Sequence, residues 1–225
     1  MRSLIIVLAL SLSMHAAPAK RYLALGDSYT IGESVPESGR WPVQLAKRLH
    51  IGAPQIIART GWTTDELDAA ITGANPRPPF DLVTLLIGVN NQYRGRSAGE
   101  FREQFSALLQ RAIRFAGGDA GRVVVVSIPD WGVMPFAEGR DRAKIGGEID
   151  AFNAISREET RRAGARYADV TPISRMAASD SSLVAGDGLH PSAKMYERWV
   201  EAIEPEARKA VAGRGATSSR PRRPS

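Results

Sequence analysis

Cysteine is absent from the 225 residues, which excludes disulfides, thiolate metal sites and cysteine nucleophiles together. Histidine is almost absent: of three, His15 lies in the N-terminal segment 1–19, leaving His50 and His190 for the rest of the chain. A zinc site built on several histidines has no basis in such a sequence, and neither a metal nor an organic cofactor is expected. Neither Gly-x-x-x-x-Gly-Lys-Ser/Thr nor Gly-x-Gly-x-x-Gly occurs, so phosphate-cradling and dinucleotide loops have no sequence support. Aromatics at 7% and a mean hydropathy of -0.21 exclude a polytopic membrane protein. No internal period suggests a solenoid, and no long polar tract suggests disorder of the body.

What is present is a length suited to one globular domain, with 43% hydrophobic residues to fill its core. The formal charge of +6 invites a nucleic-acid reading, but the surplus sits at the ends. Arg2 in residues 1–19, and Arg214, Arg220, Arg222 and Arg223 in residues 213–225, carry five of the six surplus charges, with no acid in either segment. The body is close to neutral, and no nucleic-acid partner is expected.

The N-terminus begins Met1-Arg2-Ser3, continues as an apolar run over 4–12, and reaches Ala17-Pro18-Ala19 before Lys20. A basic start, a short apolar stretch and an A-x-A-like end have the form of a secretory signal, and a nine-residue run, broken only by Ser11, is too short to span a bilayer. The expected organisation is a signal peptide over 1–19, a globular domain over 20–212 and a disordered basic tail over 213–225. The product is expected to be exported, to a periplasm or the medium, with no stable membrane anchor.

Within the body, short β-rich runs alternate with helical patterns. Strands are expected over 21–25, 55–58, 81–87, 122–128 and 167–170, and helices over 41–50, about 148–163 and from Pro191. Two more helices open on capping-box patterns, Thr63-Thr64-Asp65-Glu66 and Ser97-Ala98-Gly99-Glu100. Residues 129–147 read as a long irregular stretch. Such alternation implies an α/β domain with a parallel sheet and helices on both faces, whose chemistry belongs just beyond the carboxyl ends of the strands.

Four segments fall at such ends. Gly26-Asp27-Ser28 follows the first strand and would display a nucleophilic hydroxyl on a tight turn, or use Ser28 as a helix cap. Asp187-Gly188-Leu189-His190 supplies an imidazole that can take the Ser28 proton and a carboxylate that can hold its tautomer; the same residues also suit a turn. Gly61 lets a backbone N–H approach a ligand, and Asn90 offers a carboxamide donor, the fixed N–H groups that a tetrahedral oxyanion requires. Each is also an ordinary turn residue. His50 ends a charged helix as Lys47-Arg48-Leu49-His50 and reads as a surface residue, so the duty of a base falls to His190. The acidic pair Glu158-Glu159 lies among Arg157, Arg161 and Arg162 and reads as solvated ion pairs.

Gly26-Asp27-Ser28, Gly61, Gly88-Val89-Asn90 and Asp187-x-x-His190, in this order, resemble the four signature segments of the SGNH, or GDSL-type, hydrolases, over roughly residues 21–204. The resemblance implies a flavodoxin-like three-layer α/β/α sandwich with a five-stranded parallel sheet in the order 2-1-3-4-5. It also implies Ser28 as nucleophile, His190 as general base and acid, Asp187 as its orienter, and an oxyanion hole of the Ser28 and Gly61 N–H groups with the Asn90 side chain. One departure is Asn91, where many members carry aspartate.

The activity implied is cleavage of a carboxylic ester, favouring a small acyl or acetyl group because no lid domain is present. Trp131, Met134 and Phe136, after the fourth strand, would pack an acyl chain or else fasten their loop to the body. Trp62, Tyr93 and Arg94 are further candidates for the wall. The partner would be a small-molecule, glycan or lipid ester. The alternatives are a non-catalytic envelope or glycan-binding module on the same fold and an acyltransferase in which another alcohol replaces water.

Overall fold

The computed structural model describes residues 19–213; the expected signal segment before Ala19 and the tail beyond Gly213 lie outside the described residues. Four runs rich in aliphatic residues and a short fifth, Arg-Tyr-Ala, form one sheet: β1 Tyr22–Gly26, β2 Gln55–Ala58, β3 Leu82–Leu86, β4 Val123–Val126 and β5 Arg166–Ala168. All pairings are parallel, in the order β2-β1-β3-β4-β5. Every residue of β1, β3 and β4 is buried, as expected of central strands covered on both faces. The register places Gly26 beside both Ala58 and Leu86. Three strands thus end level with one another, and the residues that follow them emerge at one edge.

The helices are α1 Ser28–Ile31, α2 Trp41–Leu49, α3 Thr64–Ala74, α4 Val89–Tyr93, α5 Ala98–Phe115, α6 Arg142–Arg162, α7 Thr171–Arg175 and α8 Ala193–Ala212. Helices α2 and α8 pack together on one face of the sheet, and α3, α5 and α6 on the other. The periodic apolar stripes account for this division. Phe101, Phe105, Leu108, Leu109 and Ala112 are the buried side of α5, and Met195, Tyr196, Trp199, Val200 and Ile203 that of α8. Among the described residues no helix is long and apolar enough to cross a membrane.

Several expected boundaries move. Helix α6 begins at Arg142 rather than near Glu148, because Asp141 caps it by accepting from the Lys144 N–H at 2.9 Å. Gly146-Gly147, in its second turn, hid the helical pattern from a propensity reading. Helix α8 begins at Ala193 rather than Pro191: Ser192 is the cap, accepting from the Met195 N–H at 3.3 Å, while Pro191 bridges Val184. It also runs through Pro205, which lies on the exposed side, where water can reach the carbonyl left without a donor. The Thr63 capping box forms, with Glu66 accepting from the Thr63 N–H at 2.9 Å. The Ser97 box is half made. Ser97 accepts from the Glu100 N–H, but the Glu100 carboxylate turns to Arg96 and Gln104.

Candidate active site

The chain leaves β1 through Gly26, where a Cβ would stand 2.4 Å from the Leu86 carbonyl and closer still to Thr30 Oγ1, so only glycine fits this approach. Asp27 then caps α1, its Oδ1 accepting from the Tyr29 N–H at 3.1 Å. Ser28 is therefore the first residue of the helix, not its cap. Asp27 is fully buried, and its Oδ2 has no partner among the described residues. Burial pushes its carboxyl up to about 7, against the hydrogen bonds it accepts.

Asp187 stands in the opposite circumstances. Its Oδ1 accepts from the Leu189 and His190 N–H groups, both at 2.9 Å, and its Oδ2 lies 2.6 Å from His190 Nδ1 and accepts from the Ser34 hydroxyl at 2.6 Å. Partial burial works against the charge, but the donors from Ser34, His190 and Leu189 outweigh it and hold this carboxyl well below the usual carboxylate range. With Nδ1 directed at a carboxylate, the tautomer that leaves Nε2 free to accept a proton is favoured. Tyr29 packs edge-on against the imidazole, ring centroids 5.6 Å apart.

Ser28, Asn90 and His190 line one cavity of about 170 Å³ together with Tyr29, Val89, Tyr93, Trp131, Phe136 and Leu189. Asp187 stands behind His190. Ser28 and His190 share this cavity, and His190 presents Nδ1 to Asp187. Trp131 is held in the wall because its Nε1 donates to Gln92 at 2.8 Å, and Gln92 in turn donates to Glu148 at 2.7 Å. Arg140 lies against the Tyr93, Trp131 and Phe136 rings at 5.1–5.4 Å from their centroids and bundles the rim.

The loop after β2 carries Gly61 in the left-handed region (φ 88°). Three successive residues of this loop are tethered, one to the turn after α1 and two to α4 and its C-cap. Thr60 donates to Glu33, the Gly61 carbonyl accepts from Arg94 at 2.7 Å, and the Trp62 carbonyl accepts from Asn90 Nδ2 at 2.9 Å. Asn90 thereby spans from the cavity to the Gly61 loop and keeps a second amide hydrogen for a ligand.

Three of the expected wall residues, Met134, Trp62 and Arg94, do not line the cavity; Arg94 is engaged by Glu66 and the Gly61 carbonyl. Met134 is fully buried, and its place is in the core beneath the loop. Trp62 is partly buried against the core and reaches the site only through its carbonyl. Gly61 is likewise outside the lining, one residue from that carbonyl. Val89, Tyr29 and Leu189 take the wall positions instead, each an immediate neighbour in sequence of Asn90, Ser28 or His190. Ser34, Gln92 and the link from Arg94 to the Gly61 carbonyl carried no signal in the sequence. Each acts across a long separation that only the fold closes.

Asn91 has a structural account. It is buried, accepts from the Thr64 N–H at 3.1 Å and donates to the Thr64 hydroxyl at 2.7 Å, pinning the start of α3. A carboxylate there could accept but not donate. Glu158 and Glu159 pair with Arg102 of α5 and with Arg162, away from the cavity, and His50 is an exposed cap of α2. Among the described residues no group of three or more His, Cys, Asp or Glu is placed to hold a metal ion.

A five-stranded parallel α/β/α sandwich with serine, aspartate and histidine segments at the carboxyl edge of its sheet places the protein in the SGNH fold class. The chain belongs to the GDSL-like Lipase/Acylhydrolase family, which matches residues 24–198. Its fold is similar to that of TesA (TM-score 0.64, 20% identity, over 85% of this chain and 99% of that one). It is equally similar to Axe2, an acetylxylan esterase from Geobacillus stearothermophilus (TM-score 0.64, 16% identity, 84% of this chain and 94% of that one). The psychrotrophic esterase EstA from Pseudoalteromonas sp. aligns with a TM-score of 0.62 at 16% identity, over 86% of this chain and 100% of its own. Among curated proteins none matches the sequence.

Proposed function

We propose that the protein is a serine hydrolase of small acyl or acetyl esters. The observation that carries this reading is the single cavity shared by Ser28, Asn90 and His190, with His190 Nδ1 fixed 2.6 Å from Asp187. In the first half-reaction Ser28 Oγ bonds to the ester carbonyl carbon as His190 Nε2 takes the hydroxyl proton. The carbonyl oxygen becomes an oxyanion facing the Ser28 and Gly61 N–H groups and the Asn90 amide. Collapse breaks the bond to the alcohol oxygen, which leaves with the proton from His190, and an acyl-Ser28 ester remains. Water then repeats the sequence, losing its proton to His190 and releasing the carboxylic acid and free Ser28. Asp187 stays ionised throughout and stabilises the imidazolium.

A pocket of about 170 Å³ walled by Val89, Tyr93, Trp131, Phe136 and Leu189 favours a short acyl group. The N-terminal segment 1–19, with its basic start, apolar run and Ala17-Pro18-Ala19, supports action outside the cytoplasm. The test is a panel of esters of graded acyl length together with acetylated sugars, run on the parent and on Ser28→Ala. Turnover is expected to be highest for the shortest acyl groups and absent in Ser28→Ala. Turnover of no ester, or equal turnover by both proteins, would overturn the assignment.

A further inference from the structure

Ser34 lies six residues beyond the proposed nucleophile, in the turn that leaves α1, and it is exposed. Its backbone is left-handed (φ 65°), a conformation that disfavours residues other than glycine and persists where the surroundings over-determine it. What it gains there is one contact. Its hydroxyl donates to Asp187 Oδ2 at 2.6 Å, and that same oxygen faces His190 Nδ1 at 2.6 Å. The adjacent Glu33 accepts from Thr60 on the loop that carries Gly61. Two neighbouring side chains of one turn therefore hold the acid behind the imidazole and the loop beside the proposed oxyanion hole.

We propose that Ser34 is a positioning residue of the active site, acting through Asp187 to fix the plane of the His190 ring. The inference rests on the serine-hydrolase reading above. A carboxylate oxygen that already accepts from Ser34 has one direction left for the ring N–H, so the carboxylate cannot swing about its Cβ–Cγ bond without breaking a charge-assisted bond. The hydroxyl also takes a share of the charge on Oδ2. Without it, that charge falls more fully on His190, and the imidazolium is favoured.

Glycine separates this role from a structural one, because it accepts the left-handed backbone and lacks only the hydroxyl. Ser34→Gly is expected to keep the parent Tm or exceed it, while kcat falls about tenfold with KM within about twofold, the pattern of misplaced chemistry rather than lost binding. The acid limb of kcat against pH should move up by about half a unit, since His190 must be neutral to accept a proton. Asp27, Tyr29, Tyr196, Asp130 and Glu33, the other ionisable groups gathered near Asp187 or Tyr29, are the same in both proteins and leave that comparison undisturbed. A kcat within threefold of the parent, or an acid limb that does not move, overturns the proposal while a dead Ser28→Ala leaves the hydrolase reading intact. Activity that survives Ser28→Ala overturns both.

Discussion

The two ends of the proposed active site each use an aspartate within three residues of a proposed catalytic group, and they treat it in opposite ways. Asp27 precedes Ser28 at the end of β1, fully buried, with one backbone donor from Tyr29 and a second oxygen without a partner among the described residues. Asp187 precedes His190 in a loop between α7 and α8, partly exposed, and receives donors from Ser34, Leu189 and both the backbone and the ring of His190. Burial raises the first carboxyl to about 7, and hydrogen bonds lower the second. Residue type and closeness to the chemistry do not set the role of a carboxylate. The number of donors it meets does: Asp187 is fit to be a permanent charge behind an imidazole, and Asp27 to be a helix cap that holds a proton into the neutral range.

The comparison breaks first at Asp187. Asp187→Asn keeps the shape but removes the charge and presents an amide to the ring, favouring the tautomer with its hydrogen on Nε2. In the serine-protease triad the corresponding change costs about 10⁴ in kcat, and a loss of about 10³–10⁴ is expected here, with KM little changed. Steady-state kinetics on a short-chain ester decides it. A loss under tenfold would mean that the ring is oriented by its packing on Tyr29 alone.

Asn90 and Asn91 repeat the contrast one residue apart. Asn90 lines the cavity and donates to the Trp62 carbonyl, whereas Asn91 is spent inside the protein on Thr64. If Asn90 also donates to the oxyanion, Asn90→Ala should lower kcat by about 10²–10³ with a small change in KM. Asn90→Asp, which sets a negative charge beside a developing one, should be at least as poor. Near-normal kcat in the aspartate variant would reduce Asn90 to an anchor for the Gly61 loop.

How much of this was legible in the sequence follows from the range of each interaction. The parallel sheet and the edge at which Ser28, Asn90 and His190 meet could be read because apolar runs and motif order survive without coordinates, whereas the strand order came only with the family resemblance that those motifs carry. Capping was legible where it is local, as at Thr63 and Glu66, and failed where a competing partner entered, as when Arg96 drew Glu100 away from Ser97. Met134 illustrates the limit of composition: an apolar residue in a loop beside the site faces either the cavity or the core, and the intervening turns decide which. Ser34 carried no signal because its partner lies 153 residues away and its φ is invisible in the sequence.

The smallest effect, and the sharpest test of the contrast between the two aspartates, is the pH dependence of stability at Asp27. In the unfolded chain its carboxyl ionises near 4, and in the folded protein it keeps its proton to about 7. Between those values the folded state binds one proton more than the unfolded state, so this residue makes stability fall as pH rises, by up to about 1.4 kcal/mol per unit, and the fall ends above 7. Asp27→Asn retains an oxygen for the Tyr29 N–H and cannot ionise, so its contribution should be flat across the same window. Urea unfolding of parent and variant at pH 4.5, 6 and 8 measures the difference. Asp187 and every other titrating group are common to both proteins and cancel in that difference. The variant is expected to gain roughly 1–3 kcal/mol on the parent between pH 4.5 and 8, below the full linkage value because water and local relaxation soften the cost of burying a charge. A difference that is constant with pH would show that Asp27 ionises as an ordinary carboxylate, and the opposition between the two ends of the site would then be one of geometry without a difference in charge.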